Sequence, residues 1–357
     1  MLDLEIKIVK TEHPKAKPAD ESSLGFGKVF TDHMFIAENT VGKGWHDARI
    51  VPYGPLMIDP ASPVLHYSQE IFEGLKVYRR KDGGIQMFRP MENALRMNRS
   101  AERICMPPLD PDFQVLAMKT LVEMEQDWIP STEGTSLYLR PMMIADGAEL
   151  GVHPAKHFLY VIICSPSGSY YKNGMQPIRI HIEDRYVRAV KGGTGAAKTG
   201  GNYAASLKAT FDAAEKGFDQ VLWLDGRENK YVEEVGAMNM MFVMDGKIVT
   251  APLEGNILAG ITRKSILQLA QDKGYETEER RISVAELFEA YERGGLTEAF
   301  GTGTAAVISP VGELEYQGKS MILNNREIGP ISQEMYNSLV GIQRGELPDT
   351  HNWVMKL

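Results

Sequence analysis

Runs of apolar and β-branched residues in the first half of the chain predict strands. They are "HMFIAE", "LKVYRR", "IQMFR", "SLYLRPMMI" and "FLYVIIC". Asp82-Gly83-Gly84 separates the second run from the third and has the composition of a hairpin turn. Apolar residues at helical spacing predict helices over "MENALRMNRSAERI" and "FQVLAMKTLVEMEQDW". This half of the chain therefore mixes hairpins with helices.

The second half of the chain has the same mixed character. Strands are predicted over "IRIHI", "QVLWL", "NMMFVM" and "KIVTA", and Asp245-Gly246 joins the last two as a hairpin turn. Helices are predicted over Ile261–Lys273 and Val284–Arg293. Ser283 and Glu286 have the spacing of a capping box at the start of the second of these helices.

A further helix is predicted from Tyr203 to Lys216, with Asn202 as its N-cap. Gly217 follows it in the position of a C′ residue, where glycine is common. The predicted buried stripe consists of Tyr203, Leu207, Phe211 and Ala214.

The stretch "SPSGSYYKN", from Ser165 to Asn173, is rich in turn-forming residues and marks a domain boundary. We predict an N-terminal arm over residues 1–23, a smaller α/β domain over 24–168, an interdomain loop over 169–177 and a larger α/β domain over 178–357. Because strands, hairpins and helices are mixed in both halves, the fold class is α/β with α+β character, with a mixed sheet in each domain.

Composition narrows the classes of function. The chain is 43% hydrophobic and 24% charged with a net charge of -8, which argues against nucleic acid or an anionic membrane as a partner. It has no apolar run of the roughly 20 residues that a membrane span needs, and its N-terminus lacks the order of a secretory signal. Two cysteines favour a cytoplasmic location, and the scattered histidines suggest no metal site.

The stretch "GGTGAAKTGGNYAASLKAT" nearly matches a nucleotide phosphate loop, G-x4-G-K-[ST], over Gly192–Thr199. Ala197 stands where the last glycine of that motif belongs, and the preceding "DRYVRAVK" is too charged for a buried parallel strand. Gly200-Gly201 also interrupts the helix that should continue through the lysine. A nucleotide-binding protein that uses this loop remains the alternative from a different class.

Lys198 is a candidate reactive group in its own right. The small residues around it allow a flat ligand to approach closely, and an amine in a partly dry pocket has a lowered pKa. Pyridoxal phosphate is a cofactor that binds such a lysine through a Schiff base. The cofactor also needs a phosphate site, an acid facing its ring nitrogen and a donor to its ring oxygen.

The sequence closely resembles the branched-chain amino-acid aminotransferases, pyridoxal-phosphate enzymes of fold type IV, in the longer branch of that family. The matching stretches, in family order, are "LHYSQEIFEGLKVYR", "LYLRPMMI", "VRAVKGGTGAAKTGGNYA", "QVLWLDG", "EEVGAMN", "GITRKSI" and "FGTGTAAVISPV". The resemblance implies a pyridoxal 5'-phosphate site at the domain interface. It also implies a homodimer, in which the active sites form at the dimer interface.

The resemblance implies that Lys198 is the catalytic, cofactor-linked lysine and that Tyr203 donates to the ring oxygen. Alternation along a strand does not decide whether Glu233 or Glu234 faces the ring nitrogen, and the family motif selects Glu234. The cofactor-binding residues implied are Arg96, Arg188, Lys198, Tyr203, Glu234, Ile261, Thr262 and Thr304. Backbone N–H groups of Ile261 and Thr262 would bind the phosphate at a helix start.

The substrate-binding residues implied by the resemblance are Tyr67, Phe72, Tyr138, Arg140, Tyr170, Thr304 and Ala305. Without the resemblance, the aromatic members of this set would be interpreted as buried core. The backbone of Thr304-Ala305 would receive the substrate carboxylate, and Arg140 the distal carboxylate of glutamate.

The expected reaction is transamination between leucine, isoleucine or valine and 2-oxoglutarate, giving branched-chain 2-oxo acids and glutamate. A D-amino-acid aminotransferase and an aminodeoxychorismate lyase are the alternatives within the same fold. The complete "YLRP" and "GTGTAA" motifs disfavour both of these alternatives.

Overall fold

The computed structural model describes residues 4–170 and 174–357. The chain divides into two compact units. The first contains the chain up to Tyr170 together with Ala197–Gly200 and Ile342–Leu357, and the second contains the rest. The predicted interdomain loop over 169–177 includes residues 171–173, which lie outside the described residues.

Strands form much of both units. In chain order they are β1 Lys7–Ile8, β2 His33–Thr40, β3 Gly44–Pro52, β4 Glu70–Phe72, β5 Leu75–Arg79, β6 Ile85–Phe88, β7 Ser136–Asp146, β8 His157–Ser167, β9 Ile178–Glu183, β10 Gln220–Leu224, β11 Val232–Val235, β12 Met238–Met244, β13 Lys247–Thr250, β14 Thr277–Glu279, β15 Leu296–Gly303, β16 Val307–Tyr316, β17 Lys319–Ile322 and β18 Val354–Lys356.

The α-helices of the described residues are α1 Pro63–Tyr67, α2 Pro90–Arg103, α3 Pro111–Met124, α4 Gly200–Ala204, α5 Leu207–Glu215, α6 Ile261–Asp272, α7 Val284–Glu292 and α8 Pro330–Arg344. Short 3-10 helices occur at Glu21–Ser23, Gln126–Trp128 and Asn324–Arg326. Among the residues described, every helix is too short or too polar to span a membrane.

The first unit contains a nine-stranded sheet in the order β1-β3-β2-β8-β7-β5-β6-β18, with β4 paired to β7. β1 runs parallel to β3, and the other recorded pairs are antiparallel. Apolar residues of α2 and α3, including Met97 and Phe113, pack with Phe35 and Tyr160 of the sheet in one core. The predicted strands and both predicted helices of this half are confirmed.

The C-terminal residues belong to the first unit, whereas the predicted boundaries place them in the larger domain. β18 pairs antiparallel with β6, so Val354 lies opposite Phe88. Gln86 also donates to the carbonyl of Gln343 at 2.8 Å. Because β18 is only three residues long, its sequence carries no pattern that would indicate this pairing.

The second unit contains a mixed nine-stranded sheet in the order β11-β10-β9-β16-β15-β12-β13-β14, with β17 on β16. An additional pairing between β11 and β12 closes the first six of these strands into a ring. Leu222 of β10 and Phe242 of β12 share one apolar core with Leu287 of α7. Both sheets are mixed and both units contain helices, as the predicted fold class requires.

The predicted hairpin turns and the predicted cap of α7 are present. Gly83 has a φ of 83° between the antiparallel strands β5 and β6, and Asp245 and Gly246 have φ values of 51° and 79° between β12 and β13. Ser283 caps α7 by accepting from the backbone N–H of Glu286 at 3.1 Å. These features are local, because each depends on residues within a few positions of one another.

The helix predicted from Tyr203 to Lys216 is wrong in its start and in its continuity. The segment forms α4 and α5, which are separated by two residues. Asn202 is not an N-cap but lies inside α4, and its side chain exchanges hydrogen bonds of 2.7 and 2.8 Å with Thr194. Gly217 does follow the C-cap residue of α5 with a φ of 82°, as predicted.

The buried face of α5 also differs from the predicted stripe. Leu207 and Phe211 are 68% and 60% exposed, whereas Ala209 and Ala213 are buried. The two alanines pack against a cluster that includes Trp223 of β10. Small side chains allow the helix to lie close to the sheet, so the face with the smaller residues is the one buried.

The N-terminal arm is attached along its length. The backbone N–H of Thr11 donates to Nε2 of His33 at 2.8 Å, and that of Lys15 donates to Asp32 at 2.8 Å. Glu21 accepts from the backbone N–H of Thr132 at 2.7 Å. These bonds fasten the predicted arm to the first unit.

Glu298 of β15 holds the N-terminus of α8 in the second unit. Its buried carboxylate accepts from the backbone N–H groups of Ile331 and Ser332 at 2.9 Å and from the Ser332 hydroxyl at 2.7 Å. A Cβ on Gly329 would lie 2.0 Å from this carboxylate. The carboxylate therefore satisfies helix donors that have no partner within α8.

We expect Glu298→Ala to lower the free energy of unfolding by about 2 to 3 kcal/mol, because it leaves buried donors unsatisfied. Urea denaturation followed by circular dichroism measures the loss. Thr297→Ala, at an exposed position on the same strand, is the control and should cost less than about 0.5 kcal/mol. Equal losses in the two variants would contradict the assigned role of Glu298.

Candidate active site

Lys198 is fixed through its backbone in the first unit. Its N–H donates to the Ser100 hydroxyl of α2 at 2.9 Å, and its carbonyl accepts from the N–H of Phe72 at 3.0 Å. The Nζ atom lies 4.7 Å from the centroid of the Phe72 ring. The side chain of Lys198 is therefore directed over an aromatic face.

The environment of Lys198 favours its neutral amine. Burial lowers the pKa of Lys198 to about 8, the charges of Arg96 and Arg140 act in the same direction, and Glu73 and Tyr138 oppose them. A lysine with this pKa has an appreciable unprotonated fraction near neutral pH. That form of the amine is the nucleophile and the base.

Arg96 forms a buried ion pair with Glu73. Its Nε and Nη2 atoms lie 2.7 and 2.8 Å from the two carboxylate oxygens. Asn93 also donates to the carboxylate at 2.8 Å. Burial of Glu73 disfavours its charge, but the ion pair with Arg96 outweighs this and lowers the pKa of Glu73.

Sequence reasoning did not assign a role to Glu73. The residue stands within the "EIFEGLKVYR" stretch that carries the resemblance, but no spacing rule connects it to Arg96, which lies 23 positions further along the chain. Its position beside Arg96 and its effect on Lys198 identify it as part of the candidate site.

Phe72, Tyr138 and Arg140 lie together. The Arg140 guanidinium is 4.7 Å from the Phe72 ring centroid, and its Nη2 atom donates to the Tyr138 hydroxyl at 3.0 Å. Arg140 Nε is buried and has no hydrogen-bond partner among residues 4–170 and 174–357. A Cβ on Gly74 would lie 1.9 Å from the Tyr138 hydroxyl, so glycine is required at this position.

The structure does not bring every predicted substrate residue into this group of Phe72, Tyr138 and Arg140. Tyr67 is 42% exposed, and its hydroxyl donates to the carbonyl of Leu150 at 2.5 Å. Tyr170 is 52% exposed. Both tyrosines lie at the surface of the first unit, in contrast to Phe72 and Tyr138.

The second unit contains another buried ion pair, between Arg188 and Glu234. The Arg188 Nε atom lies 2.6 Å from Oε2 of Glu234. Oε1 of Glu234 accepts from the Asn239 amide at 3.0 Å and from the backbone N–H of Leu258 at 3.1 Å. Glu234 is therefore surrounded by donors.

The neighbouring carboxyl group, that of Glu233, has different surroundings. Glu233 and Glu234 are 3% and 2% exposed, so the pair is not a solvated strand end. Oε1 of Glu233 accepts from the Asn256 amide. Burial raises the pKa of Glu233 to about 8, and the adjacent charges of Asp225 and Glu234 contribute to the increase.

Ile261 and Thr262 form the first turn of α6, as predicted. Gly260 is the N-cap, so this helix start has no side-chain cap. A Cβ on Gly260 would lie 1.9 Å from the Asn239 side chain, which itself binds Glu234. The start of α6 is thus positioned next to the partners of Glu234, with its first N–H groups suited to bind an anion.

The remaining predicted residues of the second unit lie in short connections. Thr304 and Ala305 are half-buried in the turn between the antiparallel strands β15 and β16. Tyr203 is half-buried in α4.

The phosphate-loop interpretation of Gly192–Thr199 does not match the local structure. A nucleotide phosphate loop joins a buried parallel strand directly to a long helix. Here β9 ends at Glu183, well before Gly192, and the helix that follows the loop, α4, has only five residues. The elements that would cradle a nucleotide phosphate are absent from this part of the described chain.

The chain is similar in sequence to characterised protein families. Residues 70–314 match the family model described as amino-transferase class IV. A probable branched-chain-amino-acid aminotransferase of Staphylococcus aureus (strain N315) is 53% identical, with 98% of this chain and 97% of the relative covered. Branched-chain-amino-acid transaminase 1 of Bacillus subtilis (strain 168) is 52% identical, with 98% of both chains covered.

Solved structures give the same result. A branched-chain amino acid aminotransferase of Escherichia coli matches with a TM-score of 0.75 at 27% identity and covers 90% of this chain and 98% of its own. A second branched-chain amino acid aminotransferase, solved with pyridoxamine 5'-phosphate, matches with a TM-score of 0.73 at 28% identity, covering 90% and 97%. The predicted resemblance and fold class are confirmed.

The charges around Lys198 predict opposite shifts in its pKa. Glu73→Gln removes a charge that raises the pKa of Lys198, so the pKa should fall, whereas Arg140→Met removes one that lowers it, so the pKa should rise. Reductive methylation with ¹³C-formaldehyde and NMR titration measures both, with Lys198→Arg to assign the resonance. An unchanged pKa in both variants would show that burial alone sets it, and shifts in the same direction would contradict the assigned charge effects.

Proposed function

Because the chain belongs to the class IV aminotransferases, and within them to the branched-chain-amino-acid aminotransferases, we propose that it transfers an amino group between leucine, isoleucine or valine and 2-oxoglutarate. The products are branched-chain 2-oxo acids and glutamate. The observation that carries the proposal is the half-buried Lys198, whose pKa, lowered to about 8 by desolvation, suits both covalent attachment to a carbonyl and proton transfer. The curated relatives at 53% and 52% identity support the substrate class.

The residues present fit pyridoxal 5'-phosphate as the cofactor. Lys198 offers an amine for its carbonyl carbon, and Glu234 offers a carboxylate for its ring nitrogen. The uncapped N-terminus of α6 is suited to a phosphate. Family membership assigns Arg96 to the phosphate as well. When bound, the cofactor supplies an electron sink for the negative charge that develops at the substrate Cα.

Lys198 has two tasks in the proposed reaction. Its Nζ atom would hold the cofactor in the resting enzyme, and the free amine would remove the proton from the substrate Cα. A base with a pKa near the working pH is efficient, because a large fraction is unprotonated and still accepts a proton readily. Burial beside Arg96 and Arg140 provides that pKa.

Glu234 keeps a proton on the ring nitrogen of the cofactor. A carboxylate that faces this nitrogen stabilises its protonated, positively charged form. Arg188 favours the charged form of Glu234, since the two side chains form an ion pair at 2.6 Å. Asn239 and the N–H of Leu258 orient the carboxylate.

Arg140 binds the distal carboxylate of glutamate or 2-oxoglutarate. Its side chain lies against Phe72 and Tyr138, so an apolar substrate side chain contacts the aromatic rings and a carboxylate contacts the guanidinium. The buried Nε atom, which has no hydrogen-bond partner in the described part of the chain, supports this role. One set of residues thereby accommodates two unlike side chains.

The protein is also proposed to act as a homodimer in the cytoplasm, as family membership suggests. Size-exclusion chromatography with light scattering tests the dimer. A monomeric, fully active enzyme would contradict it.

Lys198→Ala should abolish transamination and the borohydride-reducible visible absorption, because covalent attachment and proton transfer are both lost. Steady-state assays with leucine and 2-oxoglutarate, together with spectra before and after borohydride, measure the effect. Lys191→Ala is the matched control, since Lys191 is an exposed lysine of the same loop. Substantial turnover by Lys198→Ala would refute the assignment.

Arg140→Met should weaken the half-reaction with glutamate or 2-oxoglutarate more than the half-reaction with leucine. A charge-assisted hydrogen bond contributes about 1.5–3 kcal/mol, which corresponds to a difference of roughly tenfold or more. Single-turnover kinetics of each half-reaction measure the difference. If both substrates lose the same factor, Arg140 serves the α-carboxylate or the scaffold instead.

A further inference from the structure

The proposed function assigns no role to the buried carboxyl group of Glu233. It is 3% exposed, and its Oε2 atom has no hydrogen-bond partner among the residues that the structure describes. Its Oε1 atom accepts from the amide of Asn256. A buried carboxylate with so few donors is costly, which makes the neutral acid the favoured form.

We propose that Glu233 is a positioning residue that remains protonated at neutral pH and, through Asn256, holds Arg188 against Glu234. The inference rests on the proposed function, because it concerns the carboxylate assigned there to the ring nitrogen. Glu233 itself touches neither substrate nor cofactor and acts through Asn256 and Arg188.

Asn256 connects the two carboxyl groups. Its side chain donates to Glu233, and its backbone carbonyl accepts from Nη1 of Arg188 at 3.1 Å. Arg188 pairs through Nε with Glu234. Two residues after Asn256, the N–H of Leu258 donates to Glu234. The short segment 256–258 is therefore hydrogen-bonded to both Glu233 and Glu234 of β11.

The position of Asn256 is further restricted by Gly195. A Cβ on Gly195 would lie 2.1 Å from the Asn256 carbonyl oxygen, so the two backbones are in close contact. The Gly195 carbonyl also accepts from Nη2 of Arg188 at 3.3 Å. A movement of Asn256 would consequently disturb both backbone acceptors of the Arg188 guanidinium.

Three charged groups act on Glu233. Asp225 and Glu234 disfavour a further negative charge, whereas Arg188 favours it. Together with burial, which is the largest effect, they raise the pKa of Glu233 to about 8. When Glu233 loses its proton to solvent, a second carboxylate appears beside Glu234 and competes with it for Arg188.

Ionisation of Glu233 also links folding to pH. Its folded pKa of about 8 lies above the unfolded value of 4.5, so between these values the unfolded chain releases a proton that the folded chain retains. The free energy of unfolding therefore falls as the pH rises from 4.5 to 8. Above that range, the destabilisation caused by Glu233 is constant. Glu233→Gln keeps the shape of the neutral acid and removes this penalty.

The test compares the holoenzyme with Glu233→Gln and Glu233→Ala between pH 6 and 9.5. The measurement is the rate of cofactor release on dilution, followed by visible absorption. We expect release from the wild type to accelerate several-fold with an apparent pKa near 8. Glu233→Gln should stay at the slow rate at every pH, and Glu233→Ala at the fast rate.

Glu228→Gln, which changes an exposed acid in the loop before β11, should follow the wild type. The proposal is overturned if Glu233→Gln releases cofactor as fast as Glu233→Ala at pH 6.5, because the charged form is then the one required. It is equally overturned if Glu233→Gln keeps the alkaline acceleration, since another group then titrates.

Urea unfolding at pH 6 and pH 9 provides a second measurement that needs no catalysis. The stability of Glu233→Gln relative to wild type should increase with pH, and an unchanged difference would contradict a protonated Glu233. A chain that shows no visible cofactor absorption at all would refute the proposed function. The unfolding measurement would still decide the protonation of Glu233, so the two failures are distinguishable.

Discussion

The Lys198 amine is removed from water beside Arg96 and Arg140, and each of these conditions disfavours its positive charge. Glu73 limits the effect, because its carboxylate lies close enough to raise the pKa of Lys198 while it forms an ion pair with Arg96. The buried Glu73 carboxylate offsets the cost of burying the charge of Arg96. The charges of Lys198, Arg96 and Glu73 are therefore coupled, and a change in any one of these residues alters the electrostatic environment of the other two.

The second unit also buries ionisable side chains, but here they are two carboxyl groups that are adjacent in sequence. Two adjacent carboxyl groups on β11 are buried, and only Glu234 has an arginine partner and a full set of donors. Close packing helps to hold these surroundings in place. The backbone of Gly195 lies against the Asn256 carbonyl, and the backbone of Gly260 lies against the Asn239 side chain, so neither glycine has room for a side chain. Small residues in the family motifs therefore serve to position the polar side chains beside them.

Short-range features of the fold were predictable from sequence. The turn at Asp245-Gly246, the cap at Ser283 and the helix beginning at Ile261 each depend on a few neighbouring residues, and each was confirmed. The buried stripe predicted for the helix from Tyr203 was wrong, because an amphipathic pattern does not reveal which face of a helix packs against a sheet. On α5 the alanine face fits against β10, so Leu207 and Phe211 remain exposed.

The sequence by itself determined the family, the mixed α/β class and the residue types available for chemistry, because these follow from motifs and local patterns. It singled out Lys198 and Glu234 but assigned no role to Glu73, which lies far from Arg96 along the chain. Only the tertiary structure decided that the amine of Lys198 is easily deprotonated and that Glu233 is buried with a raised pKa. Both pKa values depend on desolvation and on charges that folding brings close together, and a local stretch of sequence does not reveal either of these.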